Sequence, residues 1–245
     1  MSQAICFTNV SKRHAGHDVL AALNLDVPRG SLFGLAGVNG AGKTTLLRCL
    51  LDFCALDEGS IEIFGASHRV PASRAPLAFL PERFTPPPHL TGDEFLKFVV
   101  KLQDQSYDRA AAVRMLQAMD LEESALNRTV RHYSKGMTQK LGLAATFLIR
   151  KDLYVLDEPT SGLDPRARMR LKEHLLALRG EGATVLLTSH TLADIDELCD
   201  QMAILHGGRL VFSGSPAGCR SHFGADSLEA AFMTATTPCT NPISA

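Results

Sequence analysis

The sequence predicts an α/β fold with a mainly parallel sheet, an antiparallel β edge and an inserted α-helical lobe. Three observations carry that expectation. An apolar run at 32–36 leads through a glycine-rich turn into a helical segment. Beyond residue 150 short apolar strands alternate with helical stretches, the pattern of a parallel sheet with ligands at the carboxyl ends of its strands. Between them, residues 84–150 carry helix signals almost throughout.

The elements follow in order. Ile5 and Phe7 alternate with polar neighbours, and Leu23, Leu25 and Val27 alternate again before the turn Pro28, Arg29, Gly30. Residues 60–64, bounded by Gly59 and Gly65, form a further short strand. Pro86, Pro87 and Pro88 favour an extended connector. Thr91 with Glu94 three residues later fits a capping box opening a helix to about Leu102, and a second helix covers about 108–119. Residues 153–156 and 185–187 are apolar strands, and Gly207 and Gly208 mark a hairpin between 203–205 and 210–212. The domain plan is a single unit over 1–235, with 1–83 and 151–220 as core and 84–150 as lobe; 236–245 is expected to be a flexible tail.

With 245 residues, 45% of them hydrophobic, the chain can bury one sizeable core with a lobe attached. A net charge of -1 gives no basic field of the kind nucleic-acid binders carry, so no nucleic-acid partner is expected. No apolar run approaches the roughly 18–20 residues that span a bilayer, and no signal-peptide core follows Met1, so a cytoplasmic location is expected. The six cysteines make no CxxC pair and no zinc spacing.

Residues 37–45 read G-V-N-G-A-G-K-T-T, which fits the phosphate-binding pattern G-x-x-x-x-G-K-[ST] between a strand and a helix. Such a turn aims backbone N–H groups of Gly37, Asn39, Gly40, Ala41, Gly42, Lys43, Thr44 and Thr45 at one anion, with the helix dipole behind them. Lys43 would reach the β- and γ-phosphates, and the Thr44 hydroxyl would ligate Mg²⁺. The core is thus expected to be that of a P-loop NTPase. Strand 153–156 ends in Asp157 and Glu158: Asp157 can hold Mg²⁺ opposite Thr44, and Glu158 can polarise a water in line with the γ-phosphate. His190, at the end of the next strand, can touch that phosphate and orient Glu158. Ser134 suits the N-cap of a helix with Gly136 in its first turn; on physics alone this is an ordinary capped helix.

Taken in order, these segments resemble the ATP-binding subunits of ABC transporters over roughly residues 4–215. Residues 37–45 look like the Walker A motif of that family, and Tyr133, Ser134, Lys135, Gly136 and Met137 like a variant of its L-S-G-G-Q signature. Residues 153–158 look like Walker B with the catalytic Glu, Ser161, Gly162, Leu163 and Asp164 like the D-loop, and His190 like the switch histidine. The resemblance implies ATP and Mg²⁺ as ligands and a head-to-tail dimer, with a copy of this chain or a homologue as second subunit. Ser134 and Gly136 would meet the γ-phosphate in trans, and Asp164 would communicate across the interface. It also implies a separate transmembrane permease that holds the subunit on the inner face of the cell membrane.

The sequence departs from the family pattern at named points. Glu82 stands where a Q-loop glutamine is usual and is expected near the Mg²⁺; Lys135 and Met137 replace a glycine and a glutamine of the signature. These departures and the short helical lobe resemble the exporter branch that pairs with ABC-2-type permeases. No Tyr stands in the loop after the first strand to stack on adenine, which leaves His14 as the candidate, with His14→Ala expected to weaken ATP binding. The rival reading is an ABC-type switch acting on nucleic acid or ribosomes. Against it stand a single cassette, no sustained heptads and no basic run.

Overall fold

The computed structural model describes residues 2–237. It contains two sheets. The antiparallel one begins with β1 (Gln3–His14) and β2 (His17–Pro28), a long hairpin closed by Ala15 and Gly16, and continues through β4 (Glu58–Ile63) and the short β5 (Ala66–Ser67) in the order β2-β1-β4-β5. The sequence shows only the inner parts of β1 and β2. Asn9 and Ala22 both adopt positive φ near 50°, and the register shifts along the hairpin break the two-residue alternation.

The second sheet has the order β10-β9-β3-β8-β7-β6. Here β3 (Leu32–Ala36) lies between β8 (Thr184–Ser189) and β9 (Gln201–His206), followed outward by β7 (Leu153–Leu156) and β6 (Leu77–Leu80). All pairings are parallel except that of β10 (Arg209–Gly214) with β9, the hairpin expected at Gly207 and Gly208. Both faces of this sheet are buried, which is why its strands read as continuous apolar runs. Phe33, Leu35, Leu153, Val155 and Leu186 face the antiparallel sheet and α1 (Lys43–Leu50). Leu32, Ala36, Tyr154, Leu156, Val185 and Leu187 face the other helices. Alternate residues of one strand therefore build two separate cores.

The lobe contains α2 (Gly92–Lys101), α3 (Arg109–Ala118) and α4 (Lys135–Leu148). The capping box forms as expected: Thr91 Oγ1 accepts from the Glu94 N–H, and the Glu94 carboxylate accepts from the Thr91 N–H at 2.8 Å. After β7 come α5 (Pro165–Gly180) and α6 (Leu192–Leu198), and the described chain ends with α7 (Pro216–Phe223) and α8 (Leu228–Thr236). The core expected to end near 220 therefore continues: Cys219, Leu228 and Ala231 are fully buried in it. Thr236 is helical and Thr237 caps that helix, rather than both belonging to a tail; residues 238–245 of the expected tail lie outside the described residues. Cys6, Cys49, Cys54, Cys199 and Cys219 are free thiols.

Candidate nucleotide-binding site

The parallel strands β3, β7 and β8 all end on one side of the sheet, and the residues just past them surround a cavity of about 730 Å³. The loop 37–42 after β3 forms its floor. Gly42 has φ 110°, a conformation L side chains rarely adopt, and a Cβ there would stand 2.8 Å from the Val19 carbonyl oxygen. A Cβ on Gly37 would stand 2.7 Å from the Leu205 carbonyl oxygen. Both glycines are demanded by close backbone approach, and all of residues 37–45 line the cavity.

Lys43 opens α1 and is buried, its Nζ donating to the Gly37 carbonyl at 2.6 Å and lying 4.0 Å from Glu158 Oε1. Opposite it, Asp157 and Glu158 follow β7. Asp157 is 3% exposed and accepts from two hydroxyls, Thr44 Oγ1 at 3.2 Å and Thr188 Oγ1 at 2.7 Å. Among the described residues no cationic side chain pairs with it within 4.0 Å. A buried carboxylate without a cation, beside a threonine hydroxyl, is a donor set that suits a hard divalent ion completing its shell with water and phosphate oxygens. Glu158, also buried, has φ 50°, and its N–H donates to Thr188 Oγ1 at 2.9 Å. Its Oε2 lies 2.6 Å from Nδ1 of His190, which follows β8 and is largely exposed. A carboxylate so held can accept a proton from water placed in the cavity.

The sequence expectations divide at this point. Lys43, Thr44, Asp157, Glu158 and His190 are brought together, and Glu82, two residues past β6, lines the same cavity. Glu82, Asp157 and Thr44 line that space together, and among the described residues no group of three or more His, Cys, Asp and Glu side chains converges. His14 is not brought to the cavity. The hairpin closes just after it, leaving it exposed and paired with His17, and the returning strand delivers Val19 to the loop instead. Ser134, Gly136 and Asp164 also stand apart from the cavity. Ser134 caps α4 by accepting from the Met137 N–H, and Asp164 caps α5 by accepting from the Ala167 N–H.

Several lining residues are not legible in the sequence: Val19, Ser189, Leu192 and, from α8, Phe232; Ser161, from the expected D-loop segment, also lines the cavity. Thr188 is hidden as well, because a threonine within a β-branched strand reads as an ordinary strand former. Its position level with Asp157 on the neighbouring strand was the available signal.

Residues 20–161 match the sequence model of the ABC transporter family. The chain belongs to that family. The daunorubicin resistance ATP-binding protein DrrA3 of Streptomyces coeruleorubidus is 34% identical over 230 residues, covering 92% of this chain and 72% of that protein. The Nod factor export ATP-binding protein I of Rhizobium etli is 36% identical over 219 residues, covering 87% of this chain and 68% of that protein. Among solved structures, an ATP-binding subunit of an ABC transporter superposes with a TM-score of 0.88 at 31% identity, covering 96% of this chain and all of that one. A dimeric bacterial ABC transporter cassette shares the fold, with a TM-score of 0.79 at 21% identity over 86% of this chain and 98% of that one. As an ATP-binding subunit of the ABC family, the chain binds and hydrolyses ATP.

Proposed function

We propose that this ABC ATPase, one domain over residues 1–235, closes as a dimer around two MgATP and powers export through a separate ABC-2-type permease. The observation that carries the dimer is the separation of the site's two halves. Lys43, Thr44, Asp157, Glu158 and His190 share one cavity, while Ser134, Gly136 and Asp164 stand outside it. A nucleotide bound by the first set leaves the second free to complete the site of another copy. The export reading draws on relatives named for drug resistance and Nod factor export. Among the described residues no helix is long and apolar enough to cross a membrane, in keeping with a permease on another chain and a place on the membrane's inner face.

In this reading the N–H groups of residues 37–45 and Lys43 hold the phosphates. Thr44 and Asp157 would hold Mg²⁺, with Glu82 lining the same space; when bound, the ion supplies positive charge for the phosphate oxygens. Glu158 accepts a proton from the attacking water, and His190 keeps that carboxylate in place and offers its ring to the γ-phosphate. The test is a pull-down of tagged Glu158→Gln from detergent-solubilised membranes of its source, with ATP present and mass spectrometry as readout. A multi-span permease should co-purify. A dimer carrying ribosomes or nucleic acid and no membrane protein would overturn the reading.

A further inference from the structure

The loop from Glu158 to Asp164 leaves the sheet in a strained conformation and is gripped along its length by α4 of the lobe. Glu158 starts it at φ 50°, and the turn closes by the Ser161 N–H donating to the Glu158 carbonyl at 3.0 Å. At the start of α4, a Cβ on Gly136 would stand 3.1 Å from the Gly162 carbonyl oxygen, and the Lys135 stem lies over Gly162. One turn on, buried Gln139 donates from Nε2 to the Pro159 carbonyl at 3.2 Å. The next residue, Lys140, is also buried, and its Nζ donates at 3.0 Å to Asp164 Oδ2, to Asp120 Oδ2 and to the Asp120 carbonyl. Asp120 is held in turn by Arg166 Nε at 2.9 Å. Lys140 thus uses all three of its donors, one of them on Asp164, so a shift of α4 reaches the loop through that contact and through Gln139.

We propose that Gln139 and Lys140 are positioning residues that tie the helix carrying Ser134 and Gly136 to the water-polarising Glu158 of the same chain. This rests on the reading of Glu158 given above. A nucleotide of the partner site that pulls on the start of α4 then resets the neighbouring site within one chain, through Pro159 on one side of the loop and Asp164 on the other. The tie acts on the chemical step, because neither side chain lines the cavity. Misplacing a reacting group by about an ångström lowers a rate by up to roughly 100-fold.

The experiment compares Lys140→Met, Lys140→Arg and Gln139→Met in the full chain by steady-state ATPase assay, ATP-analogue binding and thermal melting. Lys140→Met and Gln139→Met should lower kcat by roughly 10- to 100-fold with KM and analogue affinity within about twofold. Lys140→Arg, which keeps the charge and the donors, should recover most of the loss. Either folded neutral variant with unchanged kcat, or a rise in KM alone, overturns the proposal; if Lys140→Met does not fold, Gln139→Met decides it. Glu158→Gln measured alongside separates the two readings. Wild-type turnover there would remove the role of Glu158 itself, whereas its loss with unaffected Gln139 and Lys140 variants would remove only the tie.

Discussion

Nδ1 of His190 stands 2.6 Å from Oε2 of Glu158, while Oε1 of the same carboxylate faces the Lys43 ammonium at 4.0 Å. An ionised carboxylate accepts, so this contact places the imidazole proton on Nδ1 and leaves Nε2 directed elsewhere. The carboxylate is thus held through Oε2 by His190, with the Lys43 charge near Oε1.

Removing either partner should lower the rate and spare binding. His190→Ala should reduce kcat by about 10²–10³-fold, the scale for one lost preorganised donor. Glu158→Gln should reduce it by about 10²–10⁴-fold, the scale for a lost general base. Single-turnover hydrolysis beside equilibrium ATP binding checks both, and wild-type turnover in Glu158→Gln would sink its assignment.

Thr188 joins the two carboxylates, donating to Asp157 and accepting from the Glu158 N–H. It is fully buried. Thr188→Val keeps the shape and strips both partners, which should destabilise the fold by about 1–3 kcal/mol. Thr188→Ser should recover most of that. Urea unfolding of the two variants is the measurement, and equal stability of Thr188→Val and wild type would refute the account. Because the hydroxyl also aims Asp157 at Thr44, Thr188→Val should in addition raise the Mg²⁺ concentration needed for half-maximal ATP hydrolysis.

What the sequence revealed and what it concealed have the same physical root. The phosphate loop is legible because backbone approach excludes a Cβ at Gly37 and Gly42, which fixes residue types at fixed spacing. The capping box at Thr91 and Glu94 is legible because its hydrogen bonds fix a three-residue spacing, and the β9–β10 hairpin because its turn takes positive φ at Gly207 and Gly208. Strand β6 is four residues between prolines, too short to show a period, and it exists because β7 pairs with it. The final helices α7 and α8 lie in Gly-, Ser- and Ala-rich sequence and are held by burial of Cys219, Leu228 and Ala231. Tertiary packing, absent from any local pattern, decided those elements and brought Phe232 to the cavity.

Val19, which carries no sequence expectation, and His14, the expected adenine contact, lie in different places. Val19 lines the cavity and its carbonyl lies over Gly42, whereas His14 sits at the exposed hairpin end. Val19→Ala, which removes two buried methylene equivalents from any ligand placed there, should weaken ATP binding about threefold to tenfold. His14→Ala should leave it within about twofold. Titration of a fluorescent ATP analogue distinguishes them, and the reverse order of effects would restore the histidine as the adenine contact.

Asp164 carries a pH signature. The Ala167 N–H, and after it the Lys140 ammonium, favour its ionised form and hold its carboxyl down at about 2. In the unfolded chain an aspartate titrates near 3.9, so the folded state has the depressed value. Its contribution to stability is therefore complete above about pH 4 and is lost as pH falls towards 2. Asp164→Asn keeps an oxygen for the cap but does not titrate. Its melting temperature should fall less steeply than that of wild type between about pH 4 and pH 2, while at neutral pH it should lose only the Lys140 attraction. Lys140→Met should narrow the same window by letting the Asp164 value rise towards its unfolded one, the cap alone remaining. Melting curves at half-unit pH steps for the three proteins read this directly. Parallel slopes for wild type and Asp164→Asn would show that another carboxylate, such as Asp57 held by the Arg13 N–H and Lys12, sets the acid limb.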